Sequence, residues 1–198
     1  MNRDRVDELH YIAAIGNVPS IIQHGILCHR EAQKLPHHSV AMAAVQEIRH
    51  AKPVPPGTGT IHDYANLYFH ARNPMMFTRK QHHQALCVLR VRNEVLDLPG
   101  VMVVDQNAAS NYARFYGSPA GLAALDETTI YAVDWKDPDQ IEYWRRKSAR
   151  CAEVLIPDRV APAFILGVYV SGAVGSAALA AVAPTLATTL NPSLFFQE

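Results

Sequence analysis

The sequence predicts an α+β fold built on mainly antiparallel sheet, and three observations carry that prediction. Apolar runs of strand length recur at residues 9–12, 61–70, 85–91, 101–104, 153–157 and 164–170. They are separated by irregular or short helical pieces of uneven length, not by the regular crossover helices of a βαβ sheet. Neither a GxGxxG turn after the first strand nor a GxxxxGK[ST] loop occurs, so a Rossmann or P-loop nucleotide site is not supported.

A chain of 198 residues with 49% hydrophobic and 18% charged side chains suits one globular domain, residues 1–198. Lys+Arg and Asp+Glu both number 18, so global charge gives no argument for nucleic acid and any basic surface must be local. The 10 histidines are scattered. His37–His38 and His82–His83 are adjacent pairs, and none has the helical spacing with a glutamate that a zinc hydrolase shows, so no metal is expected. Cys28, Cys87 and Cys151 are an odd number without CxxC, which fits a reducing cytoplasm and opposes a disulfide framework. The charged N-terminus leads into no apolar signal region, so no secretion is expected. Residues 161–196 lack charge over a length that could span a bilayer, yet Pro162, Pro184, Pro192 and several glycines interrupt them. They read better as a buried strand (164–170), a small-residue helix (171–190) and a closing strand (194–196), giving a soluble chain without a membrane partner.

In chain order, residues 9–12 form a first strand. Asn17 is placed to cap a helix with Pro19 just inside it and Val18, Ile21 and Ile22 on one face; Gly25 ends that helix. Residues 40–48 have helical character. The proline- and glycine-rich residues 52–60 read as a rigid binding loop or lid. The aromatic-rich run 61–70 is extended and leads to a turn at Asn73–Pro74. Residues 85–91 are a central strand, and 101–104 another before the polar loop 105–110. Residues 112–143 read as a polar insertion, and the basic run Arg145, Arg146, Lys147, Arg150 as the end of a helix. That helix delivers the chain to Glu153, a lone carboxylate at a strand head whose cationic neighbours favour its ionised form. Such an acid can stabilise a developing positive charge.

These stretches together resemble the DarT family of DNA ADP-ribosyltransferases, the toxin halves of a toxin–antitoxin system. The resemblance is carried by His10-Tyr11-Ile12 with Asn17 and Gly25-Ile26-Leu27, by Val45-Gln46-Glu47-Ile48-Arg49, and by Pro55-Pro56-Gly57. It continues with His62-Asp63-Tyr64 and Tyr68-Phe69, Arg72-Asn73-Pro74-Met75, the loop from Asp105 to Ser110, and Ala152-Glu153-Val154-Leu155. No one of these is specific; their order and spacing are.

The resemblance implies an ADP-ribosyltransferase fold, two mainly antiparallel sheets forming a cleft for NAD, and transfer of ADP-ribose to a base of single-stranded DNA. Thymine is the favoured acceptor; guanine, RNA or a protein are alternatives, as is a non-catalytic binding module. It places Glu153 at the catalytic glutamate and Arg49 at the arginine that holds NAD and assists attack. An arginine titrates above about 12, so its role is electrostatic rather than that of a base. His10, Tyr11, Ile12, Ser20 and Cys28 fall at NAD-contact positions. Tyr68, Arg72, Tyr112, Arg145, Arg146, Lys147 and Arg150 are the expected DNA contacts, stacking bases and neutralising phosphates. Tyr112 stands where some relatives have a histidine, a position that can tune which base is modified. A macrodomain antitoxin that removes the mark is the expected partner.

Overall fold

A computed structural model describes residues 1–57 and 59–197. Among them, in chain order, lie β1 (Glu8–Ala14), α1 (Val18–His24), β2 (Ile26–Leu27), α2 (His29–Ala32), α3 (Ala43–Ala51), β3 (Tyr64–Tyr68), α4 (Pro74–Arg79), β4 (Leu86–Arg92), β5 (Met102–Val104) and β6 (Phe115–Gly117). They are followed by α5 (Glu127–Ile130), α6 (Gln140–Ala149), β7 (Glu153–Pro157), β8 (Arg159–Val160), β9 (Ile165–Val170), α7 (Ala173–Val182) and β10 (Thr188–Leu190). Eight strands form one sheet in the order β10-β9-β4-β1-β3-β7-β5-β6, and β2 pairs with β8 in a second, small sheet. Every pairing is antiparallel except β10 on β9. The α+β, mainly antiparallel architecture expected from the sequence is therefore the one found, with the two sheets very unequal.

Alternation along the strands gives the large sheet two different faces. One face carries Leu9, Ala13, Leu67, Leu89, Val91, Val103, Val154, Ile156 and Val168 and is covered by Val18 and Ile21 of α1 and Leu179 of α7. The other is split between an apolar cluster around Ile12, Tyr68, Val88 and Phe195 and a second around Val54, Val104 and Leu155. Polar side chains interrupt that face in one row. His10 is in register with Arg90 and with Tyr68, Tyr68 with Glu153, and Glu153 with Val104. Residues far apart in sequence are thereby placed on adjacent strands about 4.8 Å apart.

Gly25 ends α1 at φ +89°, and a Cβ there would meet Val160 O at 2.2 Å. Only glycine lets β2 lie this close to β8. Four local expectations are corrected. Asn17 does not cap α1: its amide donates to His38 O and accepts from His38 N, both at 2.9 Å, tying down a distant irregular segment. Asn73 does more than turn the chain, because its side chain accepts from Met76 N and caps α4. The polar insertion contributes an edge strand, β6. Of the residues expected as a closing strand, Leu194 and Phe195 are buried in a 3-10 turn (Pro192–Phe195), while β10 precedes them and α7 stops at Val182. No helix of the described residues is long and apolar enough to cross a membrane.

Candidate active site

Glu153 opens β7 and is fully buried, where an unpartnered carboxylate would be prohibitively costly. Three donors meet that cost. Arg49 Nη1 reaches Oε1 at 3.0 Å and Nη2 reaches Oε2 at 2.9 Å, a bidentate pair, and Ala108 N donates to Oε1 at 3.0 Å. Arg49 comes from the last turn of α3 and is itself only 5% exposed. Burial opposes its charge, but the attraction and hydrogen bonds of Glu153 prevail and raise its pKa above the ordinary value. It is a fixed cation at any working pH. Lys52, which the sequence reading did not single out, donates to Ser110 O and stands close enough to feel Glu153. Burial lowers its pKa, with Arg49 opposing its charge further and Glu153 partly restoring it. Its position at the start of the proline–glycine segment was the available signal.

Arg49 forms part of the wall of a cavity of about 380 Å³. The wall comes from Tyr11 and Ile12 of β1, the irregular residues 37–42, Gln46 of α3, Asn66 and Tyr68 of β3, Met75 of α4, Asn107 and Lys147. Its size and mixed apolar and polar lining suit a small-molecule ligand. The segment over it is pinned by the Asn17–His38 amide pair and by Arg79, which donates to Val40 O (3.0 Å) and Ala41 O (3.2 Å). Glu153 is not among the residues lining the cavity, but its partner Arg49 is. His29 and His62 also line the cavity with ring centroids 4.0 Å apart, and His50 lies 5.4 Å from His62. Burial first, then the neighbouring His29, His50 and Arg49, pushes His62 down to about 4, so it is neutral near pH 7. Among the described residues no group of three or more His, Cys, Asp or Glu is set to hold a metal.

The other sequence-selected residues separate by placement. Tyr11 and Ile12 line the cavity, but the His10 ring faces away from it, with Nδ1 3.2 Å from Phe69 O and Nε2 3.2 Å from Glu8 Oε1. It borders a second, polar cleft with Glu8, Arg90 and Tyr169. Ser20 and Cys28 are not among the residues lining the cavity, and Cys28 is buried. Three expected DNA contacts have partners within the protein. Tyr68 is in the cavity wall and 8% exposed, its hydroxyl donating to Met75 Sδ at 3.2 Å. Arg72 is turned to the C-terminal segment, donating to Ser193 O and stacking 4.1 Å from the Phe196 ring. Arg150 is 2% exposed and donates to Ile130 O, Arg72 O and His70 Nδ1. Burial lowers its pKa to about 10, and its Nε finds no protein partner among the described residues. A buried arginine serving three segments ties the fold together. Tyr112, Arg145, Arg146 and Lys147 are at the surface.

The site is a buried carboxylate–guanidinium pair beside a cavity, on the interrupted face of an antiparallel sheet, and superposition on solved structures gives its class, the ADP-ribosyltransferase fold. Comparison with known proteins gives the family. Residues 10–185 match the family described as ssDNA thymidine ADP-ribosyltransferase, DarT, and the chain belongs to that family. A DNA ADP-ribosyl transferase–DNA ADP-ribosyl glycohydrolase fusion protein of Thermosipho africanus is 30% identical over 178 residues, which is 84% of this chain and 43% of the relative. The chain thus spans less than half of that fusion protein. A DNA ADP-ribosyl transferase of Thermus sp. strain 2.9 is 30% identical over 143 residues, 67% of this chain and 68% of the relative. Among solved structures, Thermosipho africanus DarTG in complex with ADP-ribose superposes with a TM-score of 0.83 at 25% identity, over 96% of this chain and 51% of that one. Thermus sp. 2.9 DarT in complex with ADP-ribosylated ssDNA gives 0.82 at 23% identity, covering 96% of both chains, a likeness of fold.

Proposed function

We propose that this protein is an NAD-dependent transferase that places ADP-ribose on a base of single-stranded DNA, with thymine the favoured acceptor. The observation that carries the reading is the Arg49–Glu153 pair behind the wall of the 380 Å³ cavity, in a chain of this family. NAD supplies the ADP-ribose: the bond from nicotinamide to ribose C1′ breaks with its electrons leaving on nicotinamide. The acceptor nitrogen then bonds C1′ and gives up its proton. Positive charge develops on the ribose as that bond breaks, and Glu153, held by three donors, is a preorganised counter-charge for it. Arg49 cannot accept the proton. It sets the carboxylate's direction and stabilises negative charge on the acceptor base. Arg49 lines the cavity and Glu153 does not, so a ribose hydroxyl that bonds the carboxylate competes with the two guanidinium bonds.

The walls formed by Tyr11, Ile12 and residues 37–42 suit the donor, and the surface of α6 with the 105–114 loop suits the acceptor. Residues 1–198 are read as one such domain. The naming of the fusion relative supports a partner glycohydrolase that removes the mark, the expected macrodomain antitoxin. Mass spectrometry of a defined thymine-containing oligonucleotide, incubated with the protein and NAD, tests the reading. An added ADP-ribose on a thymine is expected. Labelled NAD incorporated only into guanine-containing DNA, RNA or protein would move the acceptor, and no incorporation anywhere would sink the activity.

A further inference from the structure

The basic run expected to grip DNA divides once it is placed on α6. Arg150 is buried, Arg145 pairs with Glu142 at 2.7 Å, and Arg146 pairs with Asp137 at 2.9 Å. Lys147, whose ammonium lies 5.6 Å from the centroid of the Tyr143 ring, reaches the cavity wall. Three residues before it stands Trp144, 61% exposed, and three before that Ile141, 64% exposed. The three share an arc of about 120° on the helix. The chain's other tryptophan, Trp135, is 7% exposed and packs against Phe77 and Phe196, with ring centroids 5.7 and 6.1 Å away. That is how tryptophan usually sits; an indole left in solvent one helical turn from a lysine of the cavity wall is unusual.

The helix bearing Trp144 is joined to the catalytic carboxylate by short links. Asn107 N donates to Ser148 O at 3.1 Å, and the next residue of that loop, Ala108, donates to Glu153. The same loop carries Tyr112, 85% exposed. Two exposed aromatic side chains therefore sit on the two elements that border the pair, one of them a helical turn from a lysine at the cavity.

We infer that Trp144 is a base-stacking platform for the acceptor strand, with Lys147 beside it for the adjoining phosphate and Tyr112 a second aromatic contact. This rests on the DNA reading above and deepens it. Single strands present the π-faces that a duplex hides, and aromatic side chains bind them with little regard for sequence. A chain with no net charge has little long-range attraction for phosphate, so stacking carries more of the hold and the salt dependence is shallow.

Trp135→Phe leaves Trp144 as the only indole. Titration of that protein with a thymine-containing single strand should quench its emission at the concentrations that saturate transfer, while the same sequence as a duplex should not. In the parent protein, Trp144→Ala should raise the KM for the oligonucleotide roughly ten- to hundredfold. That rise should exceed any change in the KM for NAD, and Trp144→Phe should restore part of it. Unchanged emission at a saturating, modified oligonucleotide overturns the inference, as does an unaltered oligonucleotide KM in Trp144→Ala. If the parent modifies no oligonucleotide, the DNA reading fails and this inference falls with it.

Discussion

Two glutamates on the same sheet face, Glu153 and Glu8, answer the problem of a partly or wholly buried carboxylate in different ways. Glu153 has no exposure and is held by a guanidinium on a helix and one backbone N–H. Glu8 keeps 14% of its side chain exposed and bonds three different side chains: Arg90 at 2.7 Å, Tyr169 at 2.8 Å and His10 at 3.2 Å. Burial alone would raise the Glu8 pKa, but the hydrogen bonds from His10, Arg90 and Tyr169 outweigh it and bring it to about 2. Its partners lie on β1, β4 and β9, so it braces three adjacent strands. The partner of Glu153 instead belongs to a short helix next to an irregular segment and stands in a cavity wall. One network ties the sheet together; the other is a single ion pair, one member of which lines a cavity.

Glu153→Gln should produce the largest effect, a fall in transfer of about 10²- to 10³-fold. It also leaves the Arg49 charge buried without its counter-ion, so a loss of stability of about 3–5 kcal/mol should appear in denaturant unfolding. Full transfer by a folded Glu153→Gln protein would remove Glu153 from the chemistry. Arg150→Met ranks next. It strips donors from Ile130 O, Arg72 O and His70 and should cost about 3 kcal/mol of stability. An oligonucleotide affinity that dropped while stability held would return Arg150 to the DNA surface.

The comparison is sharpened by pH. Glu8 has a folded pKa depressed below its ordinary 4.5, so its stabilising contribution is complete above about 4.5 and is lost as pH falls toward about 2. In Glu8→Gln, urea unfolding should show lower neutral stability and a flatter acid limb than the parent, with the effect on stability larger than that on turnover. His62 and His70 act in a higher window. Burial first, then nearby cations and histidines, lowers both to about 4 from 6.5. The unfolded chain binds their protons first, so stability rises between about pH 4 and 6.5 and is flat above. Replacing either by glutamine should reduce that slope, and an unchanged slope would mean the ring is solvated. The smallest effect is expected at the surface pair Arg145–Glu142, where Glu142→Gln should change stability by less than about 1 kcal/mol.

Much of this was legible in the residue string. Strand-length apolar runs without crossover helices foretold the antiparallel sheet, because alternation and burial are local properties of each strand. Glu153 and Arg49 could be selected by the order and spacing of short motifs. Asn73–Pro74 announced a chain reversal, though only the folded chain showed that Asn73 caps a helix. Other features depend on contacts between distant segments. The basic run looked uniform in sequence, yet the fold buries Arg150 against Ile130 and Arg72, pairs Arg145 and Arg146 with acids, and leaves Lys147 at the cavity. Trp144 is no different from Trp135 in one dimension; exposure alone separates them. Likewise alternation puts His10 on the face of Ile12, and only the folded chain shows its ring bonded to Phe69 O and Glu8 at a second cleft. Sequence by itself determined most of the central strands, because patterning travels with the chain, and its resemblance to a family singled out Glu153 and Arg49. Tertiary structure decided which cations are buried or paired and which face each side chain meets, because burial and pairing are settled by residues up to 161 positions away.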